Sequence, residues 1–261
     1  MPLLDPAERS ARGQSVAEDV TRFTAPAPVT PYEQSWRDFI YAEVWSRPGL
    51  DRRARYLIGM AGAAMSPHGT DQLYRYVHGA LKSGWLGVAE LREAALHLAV
   101  YAGWSRGGEL DRAVTRAVQE LDLPPAACPP IRAEPWDPEE RMAQGAAEFD
   151  KVMTFPGVSN ASPFLGPGIG NFVFGEMWCR RGLDERSRRW ITLVGVAESS
   201  SDIPIRSHIH AAMASGNCQP DEMQEFVLQY GVHAGWPKAS VVEAVVFEMI
   251  AKVAEGRPWN G

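Results

Sequence analysis

The sequence predicts an all-α protein made of two tandem copies of one small helical unit. Three observations carry this expectation. The chain repeats itself at a nearly constant offset, its apolar residues recur at three- and four-residue steps, and no stretch alternates apolar and polar residues as a half-buried strand would. With 261 residues, 45% hydrophobic and 22% charged, there is material for one large core or two modest ones, and no likeness to a disordered chain.

The repeat is read directly. WSRPGLDRRAR (45–55) has its counterpart in WCRRGLDERSR (178–188), VHGALKSG (77–84) in IHAAMASG (209–216), and YAGW (101–104) in HAGW (233–236). Upstream, Gly13 pairs with Gly145 and Phe23 with Phe155. The offset is 132 or 133 throughout, so the single-residue slips fall in loops. The expected organisation is a first unit over 1–121, a Pro-rich linker over 122–138 and a second unit over 139–261.

Each element follows from local chemistry. Asp51 and Asp184 stand where helix N-caps belong, ahead of Arg-rich first turns. Ser83-Gly84 and Ser215-Gly216 mark helix ends, glycine being the favoured residue just past a C-terminus. Leu91, Ala94, Ala95, Leu98 and Ala102 trace one face of a helix, as Met223, Phe226, Val227 and Tyr230 do in the second unit. The linker is rich in prolines, which lack the amide donor and exclude both helix and central strand. The Pro/Gly-rich stretch 155–171 matches 24–32 of the first unit and reads as a loop.

Composition narrows the function. Acidic residues outnumber basic ones 32 to 26, giving a formal charge of -6, and no Lys/Arg run appears, so nucleic acid is a poor partner. No apolar run approaches the roughly 20 residues of a membrane span, and the start lacks a basic-then-apolar leader pattern, so a cytoplasmic location is expected. Cys128, Cys179 and Cys218 form neither a disulfide framework nor a metal spacing and read as mostly buried thiols. No phosphate loop or dinucleotide fingerprint is present, so no cofactor is expected.

The order GLxxRxR, an apolar helix, a His-bearing helix ending in AAxxSG and a helix closing with AGW resembles the carboxymuconolactone decarboxylase family, in both halves of the chain. The resemblance implies a compact helical unit, homo-oligomeric assembly (here a dimer or trimer of tandem chains), and small-molecule pockets where helices of neighbouring units meet. The superfamily's alkylhydroperoxidase D branch carries CxxCxxxH; here the aligned positions are Ser201, Pro204 and His208, so a thiol peroxidase lacks both its thiols. His208 falls on the family histidine, Tyr76 occupies that place in the first unit, and His210 and His78 stand where the family has arginine. On a helix, residues two apart point about 200° apart, so His208 and His210 cannot both face one pocket, and this spacing speaks against a shared metal.

Two further polar patterns stand out. Glu93, His97 and Tyr101 share a helix face, with Glu225, Gln229 and His233 in the second unit; they read as an outer face, a network joining the units, or a pocket wall. Arg53/Arg55 and Arg186/Arg188 read as ion pairs with Glu43, Glu176 or Glu185, or as a carboxylate clamp. Trp45/Trp178 and Trp104/Trp236 read as core or interface anchors.

The expected activity is a cofactor-free, decarboxylase-like lyase on an unsaturated lactone or related carbonyl acid. The alternatives are a divergent cofactor-free isomerase or cyclase and a non-catalytic binding or assembly protein. The candidate catalytic residues are His208, as a proton donor near its free pKa of about 6.5, together with Glu176 and Arg188. Candidate substrate contacts are His210, His233, Tyr76 and His78, with His97, Tyr101 and Trp178. The second unit is the expected seat of the reaction, because it keeps the family histidine.

Overall fold

The computed structural model describes residues 4–131 and 137–261, and among these there is helix and no strand. The N-terminal half runs α1 (Pro6–Thr21), α2 (Pro31–Ser35), a π-helical segment π1 (Trp36–Trp45), α3 (Arg52–Met65), α4 (Thr70–Lys82), α5 (Val88–Ala102) and α6 (Trp104–Glu120). The C-terminal half runs α7 (Pro138–Met153), π2 (Phe164–Trp178), α8 (Glu185–Ser199), α9 (Asp202–Ala214), α10 (Pro220–Ala234) and α11 (Trp236–Ala254).

The boundaries follow the expected caps. Asp51 Oδ1 accepts from the Ala54 amide at 2.8 Å, and Asp184 Oδ1 from the Ser187 amide at 2.8 Å. Each satisfies one of the donors that a first turn leaves without an intrahelical partner. Helices α5 and α10 end at Gly103 and Gly235, whose φ of 92° and 85° suits glycine and turns the chain into the next helix.

Packing corresponds between the halves. α1 lies on π1 as α7 lies on π2, α4 on α6 as α9 on α11, and α5 on α6 as α10 on α11. The halves meet through exchanged helices: α5 packs on α8, α10 packs on α3, and α3 crosses α8 at the centre. One apolar core runs through both halves, from Leu57 and Leu98 to Leu193 and Phe226, while Val152, Met153, Phe174 and Trp178 form a smaller cluster with Phe149 and Phe155.

Several expectations need correction. Only the first part of 155–171 is irregular; from Phe164 onward it is wound into π2, with Pro167 inside it. Helix α7 begins at Pro138, within the expected linker; residues 123–130 have no regular structure, and 132–136 of that linker lie outside the described residues. The thiols of Cys128 and Cys179 are exposed, and of the three only Cys218 is buried. Trp45 and Trp178 are buried, but Trp104 and Trp236 are 63% and 49% exposed, the first stacked on Phe172 and the second edge-on to Phe39.

Candidate functional site

The GLxxRxR segments and the exchanged helices build the polar centre together. Glu93, on α5, accepts from Arg180 at 2.5–3.1 Å and from Arg188 at 3.3 Å, and both Glu93 and Arg188 side chains are only 2% exposed. In the corresponding place Glu225, on α10, accepts from Arg47 at 2.7 and 2.8 Å and from Arg55 at 3.0 Å. Asp51 and Asp184, besides capping, receive the opposite half's Arg186 and Arg53 at 2.8 and 3.0 Å.

The arginines therefore do not pair as the sequence suggested. Glu43 pairs with Arg9, Glu176 with Arg141, and Glu185 with Arg189 and Lys151. Each nitrogen of Arg188 has a partner: Nε the Leu183 carbonyl, Nη1 the His97 ring, and Nη2 Glu93 and the Arg180 carbonyl. Among the described residues no hydrogen bond or ring contact joins Glu176 to His208. The Glu93–His97–Tyr101 face is a network between the halves. A guanidinium only donates, so His97 Nδ1 accepts from Arg188 at 3.3 Å and Nε2–H donates to Thr192 Oγ1 at 2.9 Å. Burial, with Arg188 alongside, holds this ring neutral, its pKa well below the usual histidine value.

Beyond the network lie two histidine–tyrosine couples, each edge-on and each formed across the two halves. His208 of α9 meets Tyr101 of α5 with ring centroids 5.4 Å apart at 90°, and Tyr76 of α4 meets His233 of α10 at 5.8 Å and 88°. The residue types are interchanged: helix α9 supplies the histidine in one pair, and helix α10 supplies it in the other. Tyr101 accepts from the Trp178 indole at 2.8 Å, whereas the Trp45 indole has no partner. His208 Nδ1, His233 Nε2 and the Tyr76 hydroxyl are likewise buried without a hydrogen bond.

This chain is similar in part to two decarboxylases. It is 34% identical over 90 residues to the nitrosuccinic acid decarboxylase of Metarhizium robertsii, covering 34% of this chain and 58% of that protein. It is 29% identical over 72 residues to the 4-carboxymuconolactone decarboxylase of Acinetobacter baylyi, covering 28% of this chain and 53% of that protein. Both are decarboxylases. The chain thus spans just over half the length of the curated relatives it matches, and no family model matches it.

The histidine chemistry differs from the expectation. Burial pushes the His208 pKa down to about 3, with Arg189 adding to the effect, and the His233 pKa down to about 4. Neither titrates near 6.5; both present neutral imidazoles. His210 and His78 are turned away from these pairs: His210 Nε2 bonds the Arg257 carbonyl at 2.8 Å, and His78 Nδ1 the Thr21 carbonyl at 3.0 Å with its ring stacked on Phe23.

Sequence reading missed Arg189. Its guanidinium is buried, lies 5.1 Å from the Trp178 ring, bonds the Val152 carbonyl and Asn217, and leaves Nη1 without a partner. The aligned residue is Tyr56, whose hydroxyl bonds the Val20 carbonyl at 2.7 Å, so the anchoring point is kept while a charge is added. That charge, which the first unit does not repeat, following Arg186 and Arg188 on α8, was the available signal. Among the described residues no helix is long and apolar enough to cross a membrane.

Proposed function

We propose that the chain is a cofactor-free, decarboxylase-like lyase acting on a small carbonyl acid, built as two copies of one unit whose exchanged helices complete each other's sites. The observation that carries this reading is the pair of buried histidine–tyrosine couples with unpaired polar atoms. An unsatisfied buried donor or acceptor costs roughly 1–3 kcal/mol, and several of them close together call for a ligand that satisfies them. The two similar decarboxylases support the reaction class.

Loss of CO₂ breaks a carbon–carbon bond and leaves its electron pair on the adjacent carbon, where a conjugated carbonyl takes it up as an enolate. A neutral imidazole N–H and a phenol O–H, set in a low-dielectric interior, stabilise that developing oxyanion without becoming charged themselves. The proton that replaces CO₂ then reaches carbon from the phenol, or from a water molecule that the imidazole orients, and solvent reprotonates the phenolate or hydroxide left behind. Arg189 adds a buried positive charge beside His208 that favours an anionic intermediate. Glu176 and Arg188, engaged in their own ion pairs, act in this reading as supports of the site.

The test is CO₂ release from a panel of unsaturated lactone and oxo acids that includes carboxymuconolactone. Turnover is expected, and His208→Gln and His233→Gln, assayed separately, are expected to lower kcat by about 10²–10⁴-fold for the couple in use. Absence of turnover across the panel, or turnover untouched by either variant, would sink the assignment.

A further inference from the structure

Deepening the lyase reading, we propose that the ligand chamber lies in the N-terminal half, which lacks the family histidine, and takes a flat, ring-bearing carbonyl acid. A cavity of about 410 Å³ opens there beneath the 25–28 loop, a size suited to a small organic ligand. Its inner end is formed by Trp36, Tyr41 and Gln72, with Gln72 donating to the Tyr41 hydroxyl at 3.2 Å. Directly behind stand Trp45, Tyr76 and His233: Trp36 and His233 ring centroids are 6.1 Å apart, and Trp45 and Tyr76 5.0 Å. All three of these inner residues carry a buried polar atom with no partner. Indole and phenol can both donate, so a ligand carbonyl reaching past Gln72 would satisfy two of them and make the His–Tyr couple part of its surroundings.

The mouth suits an anionic group. Arg75 and Asp71 form an i,i+4 pair at 2.8 Å on the rim, with side chains 40% and 74% exposed. Such an exposed pair contributes little, roughly 0–1 kcal/mol, so Arg75 can exchange Asp71 for a ligand carboxylate. The walls between mouth and inner end, Ala17 with Pro26 and Pro28, leave a gap flanked by rigid residues.

Among the described residues of the C-terminal half, the positions aligned with the inner part of this chamber carry bulkier or apolar side chains. Ala17 corresponds to Phe149, Tyr41 to Phe174, Gln72 to Pro204 and Arg75 to Ser207. Phe149 packs on Phe174 at 4.8 Å and on Phe155 at 5.6 Å, filling the space. A wider groove between α7 and residues 158–171 touches none of His208, Phe149 or Phe174. The retained histidine thus lines neither of these cavities, whereas the interchanged couple stands one layer behind the inner wall of the N-terminal one.

Titration calorimetry with 4-hydroxybenzoate as probe tests this without requiring turnover. Ala17→Phe, which copies Phe149, and Gln72→Leu should each weaken binding by about tenfold or more, whereas Phe149→Ala should leave it unchanged. Thermal unfolding of each variant identifies any that fail to fold, and Gln72→Leu, which adds no bulk, keeps the test open if Ala17→Phe does. No binding to the folded wild-type protein at millimolar probe, or binding that survives both chamber variants, would overturn the proposal. Failure of the lyase reading looks different: binding follows the chamber variants, but no acid is turned over. Conversely, turnover lost in His208→Gln and kept in Ala17→Phe would retain the lyase and overturn the chamber.

Discussion

His208 and His233 carry an acid sensitivity that follows from burial, with Arg189 adding to it at His208. Each has a folded-state pKa below the ordinary 6.5, at about 3 and about 4. Between those values and 6.5 the unfolded chain binds more protons than the folded one, so stability must rise with pH across that window. The contribution is complete above about 6.5 and is lost as pH falls toward the folded pKa values, on the order of 1 kcal/mol per pH unit for each histidine. Urea midpoints between pH 7 and pH 5 should therefore decline, and His233→Gln should flatten the decline. An unchanged slope in that variant would show that the ring is not held neutral. Glu93 and Glu225 do not interfere in this window. Their arginine partners outweigh burial and hold both carboxyls below the usual value, so their stabilisation is lost only at lower pH.

At the scale of elements, α5 and α10 are placed by glycines that let them come close. A Cβ built on Gly195 of α8 would sit 2.7 Å from the Tyr101 Cβ, and one on Gly182 would sit 2.4 Å from the Glu93 Cγ. Gly195→Ala would push α5 outward and strain both the Trp178–Tyr101 hydrogen bond and the Tyr101–His208 contact. Overpacking of this kind typically costs about 1–3 kcal/mol. A loss of that size in chemical denaturation is expected, with a changed near-UV signal from Trp178; wild-type stability would refute the close contact. The helices themselves were legible because caps, glycine ends and apolar spacing are local signals, as at Asp51, Gly84 and Leu91. The winding of 164–170 was not, since Pro167 and its flanking glycines read as a loop and only tertiary packing holds them helical. In the same way the sequence exposed the Glu93–His97–Tyr101 face but not its partners, which lie some 90 residues away in the chain. That Tyr76 stands in the place of His208, and His233 in that of Tyr101, was readable; that the four meet as two couples across the halves was invisible for the same reason.

For the whole molecule, the exchanged contacts mean that neither half carries a complete polar centre. Arg180 and Arg188 need Glu93 from the other half, Arg47 and Arg55 need Glu225, and each of Asp51 and Asp184 binds an arginine across the divide. Removing one partner of a buried pair typically costs about 3–5 kcal/mol, because the remaining charge is left without compensation. Separation of the halves would do this at both centres while exposing the apolar faces of α3 and α8. The described part of the connection, residues 123–130, has no regular structure; it packs Leu123 on the core and offers the Pro129 and Pro130 carbonyls to Arg180. A protease site inserted after Ala126 should therefore be cleaved without separating the products. The two fragments should co-elute at the mass of the intact chain and keep its helical signal, parting only when denaturant unfolds them. Elution of separate folded fragments in native buffer would mean that the halves are independent domains, and that the Glu93 and Glu225 pairs do not hold them together.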